Sequence, residues 1–380
     1  MTNKLPIRIC AVGLSLLMAS CAVFQKNKKA QPTNAQKEES KDGLKPYAKV
    51  ITKDAKSDEG LFTVHKVKNK YYYEIPDSLF NREMLTVTRI AKTASGIGFG
   101  GGKQNTQVHR WQKKGDQVLL RVVSYDIYAA DSLPVHEAVV NSNFEPILSS
   151  FDIETVGKDS INKSTVIEVT DLYKKDVQAL GLGDRYRKQY KVSRLDDSRS
   201  FIDTIRSYPE NIEVRHIKTY NAGDPPSNST TGSISLEFSN SMILLPKEPM
   251  ERRYFDERVG WFTTSQTDYG LDAQKSKTVE YLDRWRLEVK DEDMEKFKNG
   301  ELVEPKKQIV YYIDRATPKK WVPYIKQGIE DWQVAFEAAG FKNAIIAKEA
   351  PTPEEDPDWS PEDVRYSTVR YLASPIPNAN

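Results

Sequence analysis

The sequence predicts an α+β protein in which a long stretch of mainly antiparallel β-structure is followed by an α/β unit. Three observations carry this. Ile234, Leu236 and Phe238 alternate with Ser and Glu, the period of two that marks a half-buried strand. Val108–Trp111 and Val118–Tyr125 flank Lys114-Gly115-Asp116, a hairpin signature. From residue 308 the pattern changes. A strand-like run, Gln308 to Asp314, is followed by Trp321, Ile325, Ile329, Trp332, Phe336 and Ala339 at spacings of three and four, the apolar stripe of one long amphipathic helix.

The N-terminus reads as a targeting segment. Lys4 and Arg8 precede an apolar run, Ile9 to Ala19, too short to span a bilayer. It ends Leu17-Met18-Ala19-Ser20-Cys21, which matches a lipoprotein cleavage box with Met18 in place of the more usual Leu. On this reading residues 1–21 are a signal peptide and Cys21 is the lipidation site. Several acyl chains anchor stably because each buried CH₂ contributes ~0.8 kcal/mol. The other reading is an ordinary secretory signal cut near Ala19. Residues 22–45 lack the apolar content to fold and form a disordered tether.

Residues 46–92 read as a small β module, with runs at Leu61–Val67, Tyr71–Ile75 and Met84–Ile90. Residues 93–105 are a Gly-rich connector. Residues 106–290 form a β-rich accessory domain, a sandwich or an open barrel-like sheet, with further strands at Val166–Val169, Ile212–Ile217 and Tyr281–Leu287 and a short helix at Asp176–Leu180. Residues 291–305 are a charged linker. In the last unit, 306–380, Thr317 and Pro318 read as N-cap and first helical residue. Gly340 closes the helix, and Phe341–Ala347 and Val364–Leu372 are two more strands.

Formal net charge is +2, from 56 basic and 54 acidic residues, a balance that argues against a nucleic-acid surface. The only cysteines are Cys10 and Cys21, so the mature chain has neither a disulfide framework nor a cysteine metal site.

Longer words add a resemblance. Glu-Pro-Lys-Lys at 304–307, Val-Tyr-Tyr-Ile-Asp at 310–314, Tyr-Ile-Lys-Gln-Gly-Ile-Glu-Asp-Trp-Gln at 324–333, Ala-Phe-Glu-Ala-Ala-Gly-Phe at 335–341 and Arg-Tyr-Leu-Ala-Ser-Pro-Ile at 370–376 resemble a family of bacterial cell-envelope zinc metalloproteases. Gly-Leu-Phe-Thr-Val-His-Lys-Val at 60–67, Asn-Ser-Asn-Phe-Glu-Pro-Ile-Leu at 141–148 and Ser-Gln-Thr-Asp-Tyr-Gly at 265–270 look like that family's two uncharacterised N-terminal domains. The resemblance implies that residues 306–380 are the N-terminal half of a metzincin-like (zincin-like) catalytic domain. It implies an outer-membrane lipoprotein, a polypeptide substrate for the complete protein and a zinc cofactor held by a His-Glu-x-x-His helix that this chain lacks. The chain alone is then an inactive fragment.

The residues agree with that absence. A zinc-hydrolase helix needs histidines at i and i+4 with a Glu between them. The chain has only His65, His109, His136 and His216, the nearest two being 27 positions apart. Three read as strand residues, and His136 as a loop residue. No catalytic, cofactor-binding or metal residue is assigned.

Gly96-Ile97-Gly98-Phe99-Gly100-Gly101 spells Gly-x-Gly-x-x-Gly, but a strand and not a helix follows it, so it reads as a connector. Asp196-Asp197 and the acidic run Glu354 to Asp358 read as solvated loops, with calcium the less favoured reading. Asp256, Glu257 and Asp268 near Tyr254, Trp261 and Tyr269 are either sheet-surface residues or the lining of a polar-aromatic groove. Ser78, Ser132, Ser160 and Thr204 each follow an Asp and precede an apolar residue. Such triplets resemble an O-glycosylation acceptor of some envelope bacteria and also make turn initiators. The rival function is a non-catalytic envelope protein whose β domains bind peptide or glycan.

Overall fold

The computed structural model describes residues 43–372 except 160, 228 and 273. Cys21, almost all of the tether and Ser160 therefore lie outside the described residues. After one helical turn, α1 (Tyr47–Val50), come β1 (Lys56–Asp58), β2 (Thr63–Val67), β3 (Lys70–Pro76), β4 (Glu83–Lys92), β5 (Lys103–Lys114), β6 (Gln117–Val123) and the short β7 (Ile127–Tyr128). Helix α2 (Val135–Ser142) precedes β8 (Ile147–Val156) and β9 (Ser164–Glu168). Helices α3 (Thr170–Lys174) and α4 (Asp184–Gln189) lead to β10 (Val192–Leu195), β11 (Phe201–Ser207), β12 (Asn211–Ala222) and β13 (Ser233–Leu244). Strands β14 (Thr263–Asp268) and β15 (Lys277–Leu282) and helix α5 (Met294–Lys298) complete this part.

Alternation does what the sequence implies. In β4, Met84, Thr86, Thr88 and Ile90 are buried while their neighbours are half-exposed. The strands join one 12-stranded antiparallel sheet in the order β1-β2-β3-β9-β8-β6-β5-β4-β13-β12-β10, with β11 also on β12. Strands from residues 46–92 are thus woven among later ones: β3 pairs with β9, and β4 lies between β5 and β13. The sheet coils until its ends meet. The Leu61 N–H donates to the Tyr208 carbonyl (2.8 Å), and the Ser207 N–H to the Asp58 carboxylate (2.9 Å).

Gly60 sits in this closure. A Cβ there would lie 2.7 Å from the Tyr208 carbonyl oxygen and 2.5 Å from Ser207 Oγ. Gly60→Ala is therefore expected to push the sheet ends apart and destabilise the fold by roughly 1–3 kcal/mol, as overpacking does. Thermal unfolding checks this: a variant that melts with the wild type would mean that the closure carries no stability.

The main core lies inside the coiled sheet. Trp111 is fully buried among Phe62, Tyr73 and Phe151, and the Tyr73 hydroxyl donates to that of Tyr173 at 2.9 Å. Tyr220, Phe238, Ile234, Leu236 and Leu182 form a second cluster.

The C-terminal unit is β16 (Ile309–Ile313), α6 (Val322–Glu330), α7 (Gln333–Ala338), β17 (Ile345–Glu349) and β18 (Ser367–Val369). β16 lies between β17 and β18, and both pairings are parallel. Val322, Ile325 and Ile329 of α6 pack on Ile313 and Ala347. No helix among the described residues is long and apolar enough to cross a membrane.

Some expectations are corrected. The single long helix begins four residues later and is broken in two. Pro323 has no N–H, so it fits only in a first turn, and starting the helix at Val322 puts it there. Thr317 is no N-cap, since its buried hydroxyl has no partner. Gly340 does follow the last helix, with φ 93°. His136 lies in α2 and not in a loop. Of the helix expected at Asp176–Leu180 only a 3₁₀ turn, Gln178–Leu180, forms. The Gly-rich connector ends early, because β5 begins at Lys103.

Candidate functional site

A concavity of about 1570 Å³ opens between the chain around 253–289 and the α/β unit. Local hydrogen bonds build its first wall. The Leu282 N–H donates to the Arg253 carbonyl and the Asp283 N–H to the Phe262 carbonyl, both at 2.9 Å. The Trp261 indole N–H donates to the Asp283 carbonyl. These bonds hold Trp261, Phe262 and Trp285 on one side of the opening, where all three remain exposed.

The second wall is the α/β unit. Tyr311, Ile345 and Val369 line the groove from the sheet, and Ile329, Trp332 and Phe336 from the helices. Trp285 meets Tyr311 edge-on at 5.9 Å, so the walls touch at that point. Phe297 packs on Phe341 at 5.4 Å. A Cβ on Gly340 would lie 2.5 Å from the Phe297 ring, so only glycine serves both the helix end and this packing.

The lining is apolar and aromatic, with Arg253, Asp256, Asp283 and Arg284 as its charged members. Trp332 is 64% exposed and Phe262 86%. Exposed aromatics concentrated on one concave surface make this a candidate binding surface.

Of the polar-aromatic residues read from the sequence, only Asp256 and Trp261 reach this groove. Tyr254 packs instead on Tyr281 (5.5 Å), and Asp268 accepts from the Gly270 N–H (2.7 Å). The sequence reading missed Phe262, Trp285, Tyr311 and Val369. Trp332 and Phe336 were visible as a helix stripe, without a sign of what they would face.

Each histidine has its own local partner. His65 bridges Ser57 (2.7 Å) and Glu74 (3.0 Å). The Glu74 carboxyl is held down at about 2: burial opposes ionisation, and the bonds from His65, Ser164 and Tyr47 outweigh it. His109 contacts Thr86 (2.8 Å) and Gln107 (3.1 Å). His136 donates to the Ala129 carbonyl (3.0 Å). His216 contacts Asn240.

Among the described residues no three His, Cys, Asp or Glu side chains come together where they could hold a metal ion. A zinc ion does not fit the described residues. The Asp196 carboxylate is taken up by Ser198 and Arg199, and Asp356 by the Asp358 and Trp359 N–H groups. Ser78 and Ser132 are exposed, whereas Thr204 is half-buried in β11.

Comparison with known proteins finds two matches to family models. Residues 44–93 match a domain of unknown function, DUF5118, and residues 101–290 match a second, DUF5117. No curated protein and no solved structure matches the chain. The second match spans half of the 380 residues, and the chain therefore belongs to the family defined by the domain of unknown function DUF5117.

Proposed function

We propose that this chain is the N-terminal part of a lipid-anchored zinc-dependent metalloprotease of the bacterial envelope. In this reading Cys21 carries the lipid, the coiled sheet is a non-catalytic body, and residues 306–380 open the catalytic domain. The zinc ligands and the general base belong to residues beyond Asn380. The observation that carries the reading is the α/β unit that forms one wall of the groove. An apolar concavity is lined on one side by a parallel β-α-β unit whose sequence resembles such a catalytic domain, and it has the size and chemistry to hold the side chains of an extended polypeptide.

The rival, a non-catalytic peptide-binding envelope protein, shares the groove and differs in chemistry. The discriminating observation is the reading frame downstream of Asn380. An in-frame His-Glu-x-x-His supports the protease reading, and a stop codon directly after Asn380 overturns it. Purified residues 22–380 are expected to hold no stoichiometric zinc and to leave casein intact. One tightly held zinc per chain, lost on substituting the histidines, would show that the ligand set has been misplaced.

A further inference from the structure

We propose that Glu213, Arg215 and Glu362 form a proton-sensitive clasp that fixes the α/β unit to the outer face of the sheet at β12, β13 and β4. The loop between β17 and β18 lies between these two parts. On one side Trp359 and Tyr366 pack on Tyr312 of β16, at 5.7 and 5.4 Å. On the other, the buried Asn211 side chain donates to the Glu362 carbonyl and accepts from the Val364 N–H, both at 3.0 Å. Tyr208 donates to Ser360 Oγ at 2.9 Å.

The charged groups meet around Glu362. Its carboxylate takes Arg215 from β12 and, at 3.2 Å, Arg370 from just beyond β18. Arg370 also donates to Asp314 at 2.9 Å. Glu213, 2% exposed, accepts from Ser239 and Ser241 of β13, and Arg215 Nε lies 3.6 Å from it. From β4, Arg89 donates to Ser241 at 2.8 Å, and Lys92 pairs with Glu237, which Arg215 also reaches at 3.3 Å. Arg206 of β11 stands opposite Glu213 in the ladder. In the loop itself Asp363 is paired with Arg365.

Closing the clasp brings Glu362 up to a carboxyl that is already buried. Burial first, and then the Glu362 charge, push Glu213 up to about 7. Glu362 shifts the other way. Its own burial opposes ionisation, but Arg215 and Arg370 outweigh that and hold it below the usual carboxylate range. The closed form therefore wants one proton on Glu213 and none on Glu362. Raising the pH through 7 strips the first proton and sets two carboxylates against each other. Acid below the ordinary carboxylate range protonates the second and breaks its arginine pairs. The clasp is tightest between those limits, and it would operate whether or not the groove receives polypeptide.

Hydrogen exchange of the full chain, read by mass spectrometry and corrected for the intrinsic rate at each pH, tests this at residues 358–366 with β13 as internal reference. Protection of the loop is expected to be about tenfold higher at pH 6 than at pH 8.5, the change that one unit of pKa difference produces. Glu213→Gln mimics the protonated acid and is expected to remove the difference. Arg370→Gln, made from the loop side, is expected to lower protection of the loop at both pH values and leave β13 unchanged. Equal loop protection in the wild type at the two pH values would overturn the proposal, as would a tenfold difference that survives in Glu213→Gln. Should Glu213→Gln not fold, the wild-type profile and Arg370→Gln decide: loop protection unmoved by Arg370→Gln overturns the clasp.

Discussion

Acidifying the protein from pH 6.5 to 4.5 is expected to weaken the folded sheet through two buried histidines, His109 and His216. Neither has any solvent-exposed surface. Burial pushes His109 down to about 4. Burial and then the neighbouring Lys218 charge push His216 down to about 3, against the bond to Asn240. In the unfolded chain both take a proton near 6.5, so there the unfolded state binds more protons and gains as pH falls. Each contribution is fully present above 6.5 and lost as pH falls toward the folded value. Over two pH units the pair accounts for on the order of 5 kcal/mol.

Glu213 acts in the opposite sense. Its folded value is raised, so it stabilises as pH drops from 6.5 toward 4.5 and recovers ~2 kcal/mol of that loss. The visible decline is therefore shallow at first and steepens below pH 4.5, where Glu213 has no more to add and Glu74 begins to lose its bonds. Urea unfolding followed by circular dichroism at several pH values measures this. The double variant His109→Gln/His216→Gln, less stable at pH 7, is expected to flatten the profile above pH 4.5 or invert it. A double variant with an unchanged profile would mean that these histidines are not neutral in the fold.

Trp111→Ala is expected to have the largest effect of any single substitution in the sheet. Trp111 is fully buried. Its ring centroid lies 5.5 Å from that of Phe151, 6.2 Å from Tyr73 and 6.3 Å from Phe62. The cavity left behind is lined by aromatic rings that cannot collapse into it, and such truncations cost roughly 3–5 kcal/mol. That is a large part of the 5–15 kcal/mol that typically holds a domain folded. The indole N–H meets only Met242 Sδ, at 3.4 Å, so Trp111→Phe loses one weak bond and some volume and is expected to cost less than half as much. Equal urea midpoints for the wild type and Trp111→Ala would show that Trp111 is not at the centre of the core.

Much of this architecture was legible locally. Strand runs such as Tyr71–Ile75 and Met84–Ile90 announce themselves by alternation, and the C-terminal stripe by its helical spacing. Partners did not announce themselves. Nothing in the chain near Tyr73 points to Tyr173, a hundred residues later, because pairing is decided by closure of the whole sheet. The strand run Ile212–Ile217 was legible too, but not that Glu213 within it is buried, on a face that a loop from far downstream reaches through Glu362 and Val364. The groove was half visible. Its tryptophans stand out by type, but the sequence could not tell that Trp285 and Trp332 face one space while Tyr254 turns to Tyr281.

The insertion of β4 between β5 and β13 has a kinetic consequence. During synthesis β4 emerges roughly 140 residues before β13, which at ~5–20 residues per second is on the order of ten seconds. Through that interval one edge of β4 waits with unsatisfied N–H and C=O groups, and β3 waits likewise for β9. Chains whose contacts span such separations fold slowly, because loop closure must precede the contacts that reward it. A nascent chain of this protein therefore carries open strand edges from the release of β3 until β13 has been made, and through that interval those unpaired rows can pair with other chains.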